Sequence, residues 1–296
     1  MKEWWILIPI SIYLTAVIGS LYGARKLRPT RWPFKAEDRL LRGPGESLRK
    51  EVAQIDESMI FELAGGTIVA LLVLPVSAWV AKFLGFGTKQ VIFTATVWFL
   101  VATLLSTRRI FALWKKRQNY YLGWFGERVV AEKLAPLRFS GWRVFHDVPF
   151  VSNGKTFNID HVVVGEGGLF VIETKTRRKG GNRGPEPDDV VHFDGHALHW
   201  PRCKDDTGGL DQAETNAKTL TKWLAEEIGE NVPASPILVI PGWTLKFTGT
   251  GPRRTCRVDS ANWIQNTFKD LKPILSPKTA DLITRRLLAK CRDVEN

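Results

Sequence analysis

Three stretches of the chain carry no charged residue: 4–24 (WWILIPISIYLTAVIGSLYGA), 63–81 (LAGGTIVALLVLPVSAWVA) and 91–107 (VIFTATVWFLVATLLST). As helices, the first two are long enough to cross a hydrocarbon core of roughly 30 Å, and the third lies at the lower limit. Beyond Arg117 the period changes. Strands are predicted near 143–150, 158–164, 169–174, 190–193, 197–200 and 236–240, and helices over 124–134, 210–228 and 279–290. Strands interleaved with helices predict an α/β domain, a mixed central sheet flanked by helices. The expected organisation is an all-α membrane region of about three transmembrane helices over 1–109, a basic linker over 110–122, and a soluble domain over 123–296.

The loops orient this arrangement. Nine basic residues separate the first two apolar runs, two separate the second and third, and Arg108, Arg109, Lys115, Lys116 and Arg117 follow the third. Basic loops stay on the cytoplasmic side. Three crossings then place the N-terminus outside and both the basic loop 25–62 and the C-terminal domain in the cytoplasm. A multi-pass protein of the cell membrane is expected, with a bacterial inner membrane as the setting. The competing reading of 4–24 is a cleaved signal peptide, against which stand the length of the run and the Glu3 that precedes it. Residues 46–62 place Leu48, Val52, Ile55 and Met59 at helical spacing, as an amphipathic helix on the inner membrane surface would.

Composition adds an acidic partner. The net charge is +12 over 296 residues, and it is spread evenly, with 14 Lys/Arg against 8 Asp/Glu up to Arg109 and 28 against 22 beyond. Anionic lipid and nucleic acid are both compatible with that balance. Cys203, Cys256 and Cys291 are scattered and fit a reducing compartment. Neither a P-loop nor a dinucleotide fingerprint is present, so no nucleotide cofactor is expected.

Candidate chemistry lies in FNIDHVVVGEGGLFVIETKT. Gly165-Glu166-Gly167-Gly168 is a turn signal between two β-rich runs. A turn centred between Glu166 and Gly167 pairs Val164 with Leu169, Val162 with Val171 and Asp160 with Glu173. Lys175 falls on the face of Glu173 by the period of two. Two carboxylates at the end of an otherwise apolar hairpin repel each other and are costly to desolvate unless a cation compensates them. An Asp–Lys–Glu salt-bridge cluster remains open as the plainer reading. Glu127 shares a helical stripe with Val130, Ala131 and Leu134 and therefore points inward, which adds a third acid. His161 is expected on the face opposite Asp160, in a structural role. A zinc site from His192, His196, His199 and Cys203 is disfavoured by its spacing. Arg177, Arg178, Lys179 and Arg183 follow the cluster on a Gly-rich loop, where they would grip phosphates or simply be solvated.

The segments G-E-x-x-V-A-E-K-L, F-H-D-V-P-F, N-I-D-H-V-V-V and G-L-F-V-I-E-T-K resemble the nuclease-related domain (NERD), placed among the PD-(D/E)xK, restriction-endonuclease-like phosphodiesterases. The resemblance covers about 123–240. It implies a restriction-endonuclease-like fold, Glu127, Asp160 and Glu173 as ligands of Mg²⁺ or Mn²⁺ or their close supports, and Lys175 as catalytic lysine. Gln212, opening a later helix, falls at the family's glutamine. Ile159 replaces the proline of the superfamily's name. The stretch after Lys175 is longer and more polar than the family's, and the segment HFDGHALHWPRC is remodelled. The expected function is a membrane-anchored, metal-dependent nuclease on DNA or RNA, DNA first. A non-catalytic nucleic-acid-binding or membrane-scaffold module is the alternative.

Overall fold

The computed structural model describes residues 19, 40–152, 154–179, 189–201, 203–249, 254–262 and 264–293. The apolar run 4–24 (apart from Gly19), the basic residues of 25–39, and Arg183 lie outside the described residues. Residues 41–293 make one compact unit.

That unit begins with two long helices, α1 (Glu46–Phe83, 38 residues) and α2 (Thr88–Leu134, 47 residues). A short turn containing Gly85 at φ 72° joins them into a hairpin. Gln90 closes the start of α2 by accepting from the Gly87 N–H at 3.2 Å. Arg117–Asp56 (2.5 Å) and Arg109–Glu62 (3.7 Å) cross between the helices.

Two expectations change here. The run 63–81 is the second half of α1, and 91–107 lies within α2. Among the described residues one helix, α2, is long and apolar enough to cross a membrane, where three crossings were expected along the chain. Residues 110–122, expected as a linker, are helical, so α2 continues unbroken into the helix predicted at 124–134. The physical reason is local. No proline or glycine interrupts 110–122, and Ala, Leu, Lys, Arg and Gln there propagate a helix readily. Gly126 is retained in the helix by a close approach, since a Cβ there would lie 2.0 Å from Thr176 Cγ2.

The sheet is built from β1 (Arg143–Ser152), β2 (Lys155–Gly165), β3 (Gly168–Thr174), β6 (Ala234–Ile240) and β8 (Arg257–Ser260), in the order β1-β2-β3-β6-β8. The first three are antiparallel neighbours, and β3, β6 and β8 run parallel. This is the mixed sheet that the alternation of elements implied. Helices α3 (Gly208–Ile228) and α4 (Pro277–Lys290) cover one face, with Leu220, Leu224, Ile283 and Leu287 against Val162, Val164 and Val171. The end of α2 covers the other, with Val130 and Leu134 against Val163, Ile172 and Val239. Each such side chain taken fully from water contributes about 1.5–3 kcal/mol. A second sheet, β5-β4-β7, comprises β4 (Val190–Phe193), β5 (Leu198–His199) and β7 (Thr244–Phe247), and packs on Leu210, Leu238 and Ile240. Strands β7 and β8 escape sequence reading because each has only four residues and mixes polar with apolar positions.

Candidate functional site

The hairpin of β2 and β3 has the predicted register: Val164 faces Leu169, Val162 faces Val171, and Glu166-Gly167 form the turn. One step past its last formal pair, His161 with Ile172, the same register sets Asp160 opposite Glu173. The Thr174 N–H donates to Asp160 Oδ2 at 2.7 Å. On the other side of β2, His146 faces His161 and Val148 faces Ile159, so Asp147 of β1 stands opposite Asp160. Three acids thus form a lateral row across three neighbouring strands. Asp147 had no role in the sequence reading. Its signal was available, a charged residue inside a predicted apolar strand.

Glu127 comes to this row from α2. It sits on the inward stripe with Val130, Ala131 and Leu134 and is 6% exposed. Its Oε2 is buried without a hydrogen-bond partner. Burial, and then the charges of Asp160 and Asp147, push its pKa up to about 9, opposed by the nearby Gly45 backbone. Glu173 is 4% exposed and accepts from Asn216 Nδ2 at 3.1 Å. Burial raises its pKa well above the carboxylate range, the charge of Asp160 adds to this, and Lys175 opposes it. Asp160 rises to about 7, chiefly through burial, with the Thr174 N–H as the largest opposing influence and Lys175 also opposing. Each acid raises the proton affinity of another, so the group titrates as one coupled set.

Lys175 directly follows β3 and is pinned by its N–H donating to Val239 O at 2.9 Å. Its side chain passes close to Gly209 at the start of α3. Asn216 was missed. A polar residue within the buried stripe Gly209, Ala213, Ala217, Leu220 and Leu224 of α3 was the signal that could have found it. Gln212 lies one turn before Asn216 but is exposed, and the structure gives it no hydrogen bond to the acids.

His161 is fully buried. Its Nδ1 lies 2.9 Å from His146 Nδ1, and its Nε2 lies 3.4 Å from Thr174 Oγ1. Burial lowers the pKa of His161 well below the usual value, and that of His146 to about 4. Both rings are neutral near pH 7, and one Nδ1–H donates to the other nitrogen. Asp147 is 1% exposed with φ 49°. Arg42 Nε (2.8 Å), Arg42 Nη2 and the Ser47 N–H (3.0 Å) converge on its Oδ2, and Ser47 Oγ donates to Oδ1 at 2.6 Å.

The basic loop divides. Arg177 pairs with Asp206 at 2.5 Å and lies 4.8 Å from the Trp200 ring, while its carbonyl accepts from Trp243 Nε1. It is thereby committed to holding the small sheet. Arg178 and Lys179 are exposed. His199 is held between Asp194 (2.9 Å) and Asp205 (2.7 Å). Among the described residues no group of three or more His, Cys, Asp or Glu side chains is placed so that it could hold a metal ion. That includes the acidic row. Magnesium, however, is typically held by one or two carboxylates with waters and substrate phosphates. A buried carboxylate oxygen with no donor, beside two further acids, fits a cation.

A family described as nuclease-related domain, NERD, matches residues 122–241. The match begins inside α2, includes Glu127, the acidic row, Lys175 and Asn216, and ends after β6. An uncharacterized protein of Bacillus anthracis is 35% identical over 77 residues, which is 26% of this chain and 35% of that protein. The chain thus spans about a third of that relative's length. No solved structure matches.

Proposed function

We propose that the protein is a membrane-anchored nuclease that hydrolyses phosphodiester bonds of DNA or RNA with Mg²⁺ or Mn²⁺. The observation that carries this reading is that Asp160 and Glu173 stand opposite each other across the hairpin just before Lys175, with buried Glu127, whose Oε2 lacks any donor, brought toward them from α2. Asp160 and Glu173 would hold the cation, with Glu127 as third ligand or close support. When bound, the cation supplies charge neutralisation at the scissile phosphate and a more acidic water. Asp160 is fixed by the Thr174 N–H and Glu173 by Asn216, so neither needs to reorganise. Lys175 faces charge developing on phosphorus or orients the attacking water. Arg178, Lys179 and Arg183 would meet phosphates, and Gln212 would reach substrate from the start of α3. A groove of about 740 Å³ lined by Asn158, Lys222, Trp223 and Lys290 supports an anionic polymer as substrate, DNA first.

Anchoring rests on the hairpin. Trp79, Phe83, Phe93 and Trp98 are 64–80% exposed. Only 6% of the most apolar window of α2 is buried within the molecule. A lipid bilayer is the solvent that suits such a surface. The basic residues flanking the apolar runs favour a cytoplasmic catalytic domain and an outside N-terminus.

The alternative, a non-catalytic nucleic-acid-binding or scaffold module, is favoured by one observation. Burial raises the proton affinity of Glu127 and Glu173, which favours their uncharged forms in the metal-free site. The test uses the full chain in detergent micelles with plasmid and labelled oligonucleotides, Mg²⁺ or Mn²⁺, and a matched EDTA control. Cleavage that disappears in Glu173→Ala supports the nuclease. Metal-dependent cleavage that persists in Asp160→Ala, Glu173→Ala and Lys175→Ala sinks it, and salt-sensitive binding without cleavage selects the module.

A further inference from the structure

We infer that residues 42–47, at and just before the start of the helical hairpin, are positioning residues of the acidic centre. Arg42 and Ser47 would fix Asp147, and Gly45 would let the segment close against Glu127. The inference rests on the nuclease reading and names how that same site is held and regulated.

Sequence patterning assigned 25–62 to a membrane-region loop, with no chemistry. The structure instead brings this segment across more than eighty residues of chain onto two of the four acids. Asp147 has a conformation that non-glycine residues seldom adopt, φ 49°, and is buried opposite Asp160. Strained backbone of this kind persists where surrounding contacts over-determine it. Those contacts are the Arg42 guanidinium, the Ser47 N–H and the Ser47 hydroxyl, which occupy both carboxylate oxygens. A planar guanidinium is suited to such a site, and a lysine would restore the charge without the fork.

Gly45 reaches the other acid. Its backbone lies against the Glu127 carboxylate. At φ +66°, a Cβ on Gly45 would lie 2.7 Å from Trp124 Cδ1 and 3.4 Å from Glu127 Oε2. Glycine is therefore required twice, for the backbone conformation and for the approach. The contacts are divided between two acids, Asp147 through hydrogen bonds and Glu127 through close approach. An anchor serving only to dock the hairpin would need to hold just one of them. Because residue 46 begins α1 and Glu127 lies near the end of α2, both helices of the hairpin end at the site. Shifting the hairpin shifts the acids.

The test uses the full chain in detergent micelles, with Arg42→Ala, Arg42→Lys, Gly45→Ala and Ser47→Ala. Mn²⁺ affinity is read by calorimetry, the melting temperature in EDTA, and kcat and KM on an oligonucleotide. Loss of supports behind a metal ligand weakens metal affinity by about 10–100-fold. Arg42→Ala and Gly45→Ala should weaken Mn²⁺ by roughly tenfold at temperatures well below melting. They should also lower kcat with KM unchanged, and Arg42→Lys should recover part of the loss. If Arg42→Ala does not fold, Ser47→Ala decides, since it removes a single hydroxyl donor and keeps the N–H. Variants that lower only the melting temperature, with Mn²⁺ affinity and kcat as in the unaltered protein, overturn the inference. The proposed function then stands, provided the unaltered protein binds Mn²⁺ and Asp160→Ala does not. No Mn²⁺ binding and no cleavage by the unaltered protein overturns both.

Discussion

The apolar hairpin and the acidic centre are opposites that share a logic. Near the turn that joins α1 and α2, large apolar side chains such as Trp79, Phe83 and Phe93 face outward. In the acidic centre, Glu127 of α2 and Asp147 and Glu173 of the sheet face inward. Water would reverse both placements, because exposed apolar surface and buried carboxylate are each unfavourable in it. On the proposed function each region meets a component other than water: hydrocarbon for the hairpin, and for the acids a cation with the phosphates it would bring. The hairpin reaches the cluster through Arg42 and Gly45, so the two solvation problems meet at one place.

The sharpest way to break this comparison is to remove the compensated charge. Lys175→Ala is expected to lower cleavage on the order of 10²–10⁴-fold while leaving the fold intact, measured as kcat under saturating Mn²⁺. A second break acts on the hairpin. Leu100→Arg places a charge in the middle of the apolar run of α2 and costs about 2.5–3.5 kcal/mol of membrane insertion. Alkaline extraction of membranes should then release a larger share of the variant, and unchanged retention would refute the bilayer reading.

The third prediction concerns pH. Glu127 is raised to about 9 and Asp160 to about 7. Between the unfolded and folded values the native state binds more protons than the unfolded chain, so stability falls as pH rises. In EDTA the melting temperature should therefore decline from about pH 5 toward pH 9, where a loss of a few kcal/mol is expected. Mn²⁺ should flatten that slope by replacing the protons. A flat profile in EDTA would show the acids to be better solvated than their burial implies. Glu127→Gln sharpens the same point, because it should remove part of the slope and weaken Mn²⁺. The smallest effect belongs to the half-exposed Arg117–Asp56 pair between the helices. Arg117→Ala should cost under about 1 kcal/mol in thermal melts.

Much of the acidic centre was legible before any coordinates. Asp160 and Glu173 followed from the turn at Glu166-Gly167 and the period of two, and Glu127 from the helical stripe it shares with Val130 and Leu134. Those relations are local, and local geometry is what sequence spacing encodes. Asp147, Asn216 and Arg42 were not read. Each acquires its meaning only from a contact far away in the chain: Asp147 from the pairing of β1 with β2, Asn216 from the packing of α3 on β3, Arg42 from the docking of the hairpin's start. Arg177 shows the converse error. Its place on a Gly-rich basic loop suggested a free phosphate contact, whereas Asp206 and Trp200 engage it.

The sequence by itself determined the mixed α/β class, the hairpin that carries Asp160 and Glu173, and the apolar character of 63–81 and 91–107. All of these depend on residue types at short, regular spacing. Only the tertiary structure decided that α2 runs without a break from the apolar region to Glu127, that a fourth acid completes the row, and that residues 42–47 reach two of those acids. These outcomes depend on which distant segments share buried space. Desolvation and close packing act on whatever the fold brings together, and no short window of sequence contains both partners.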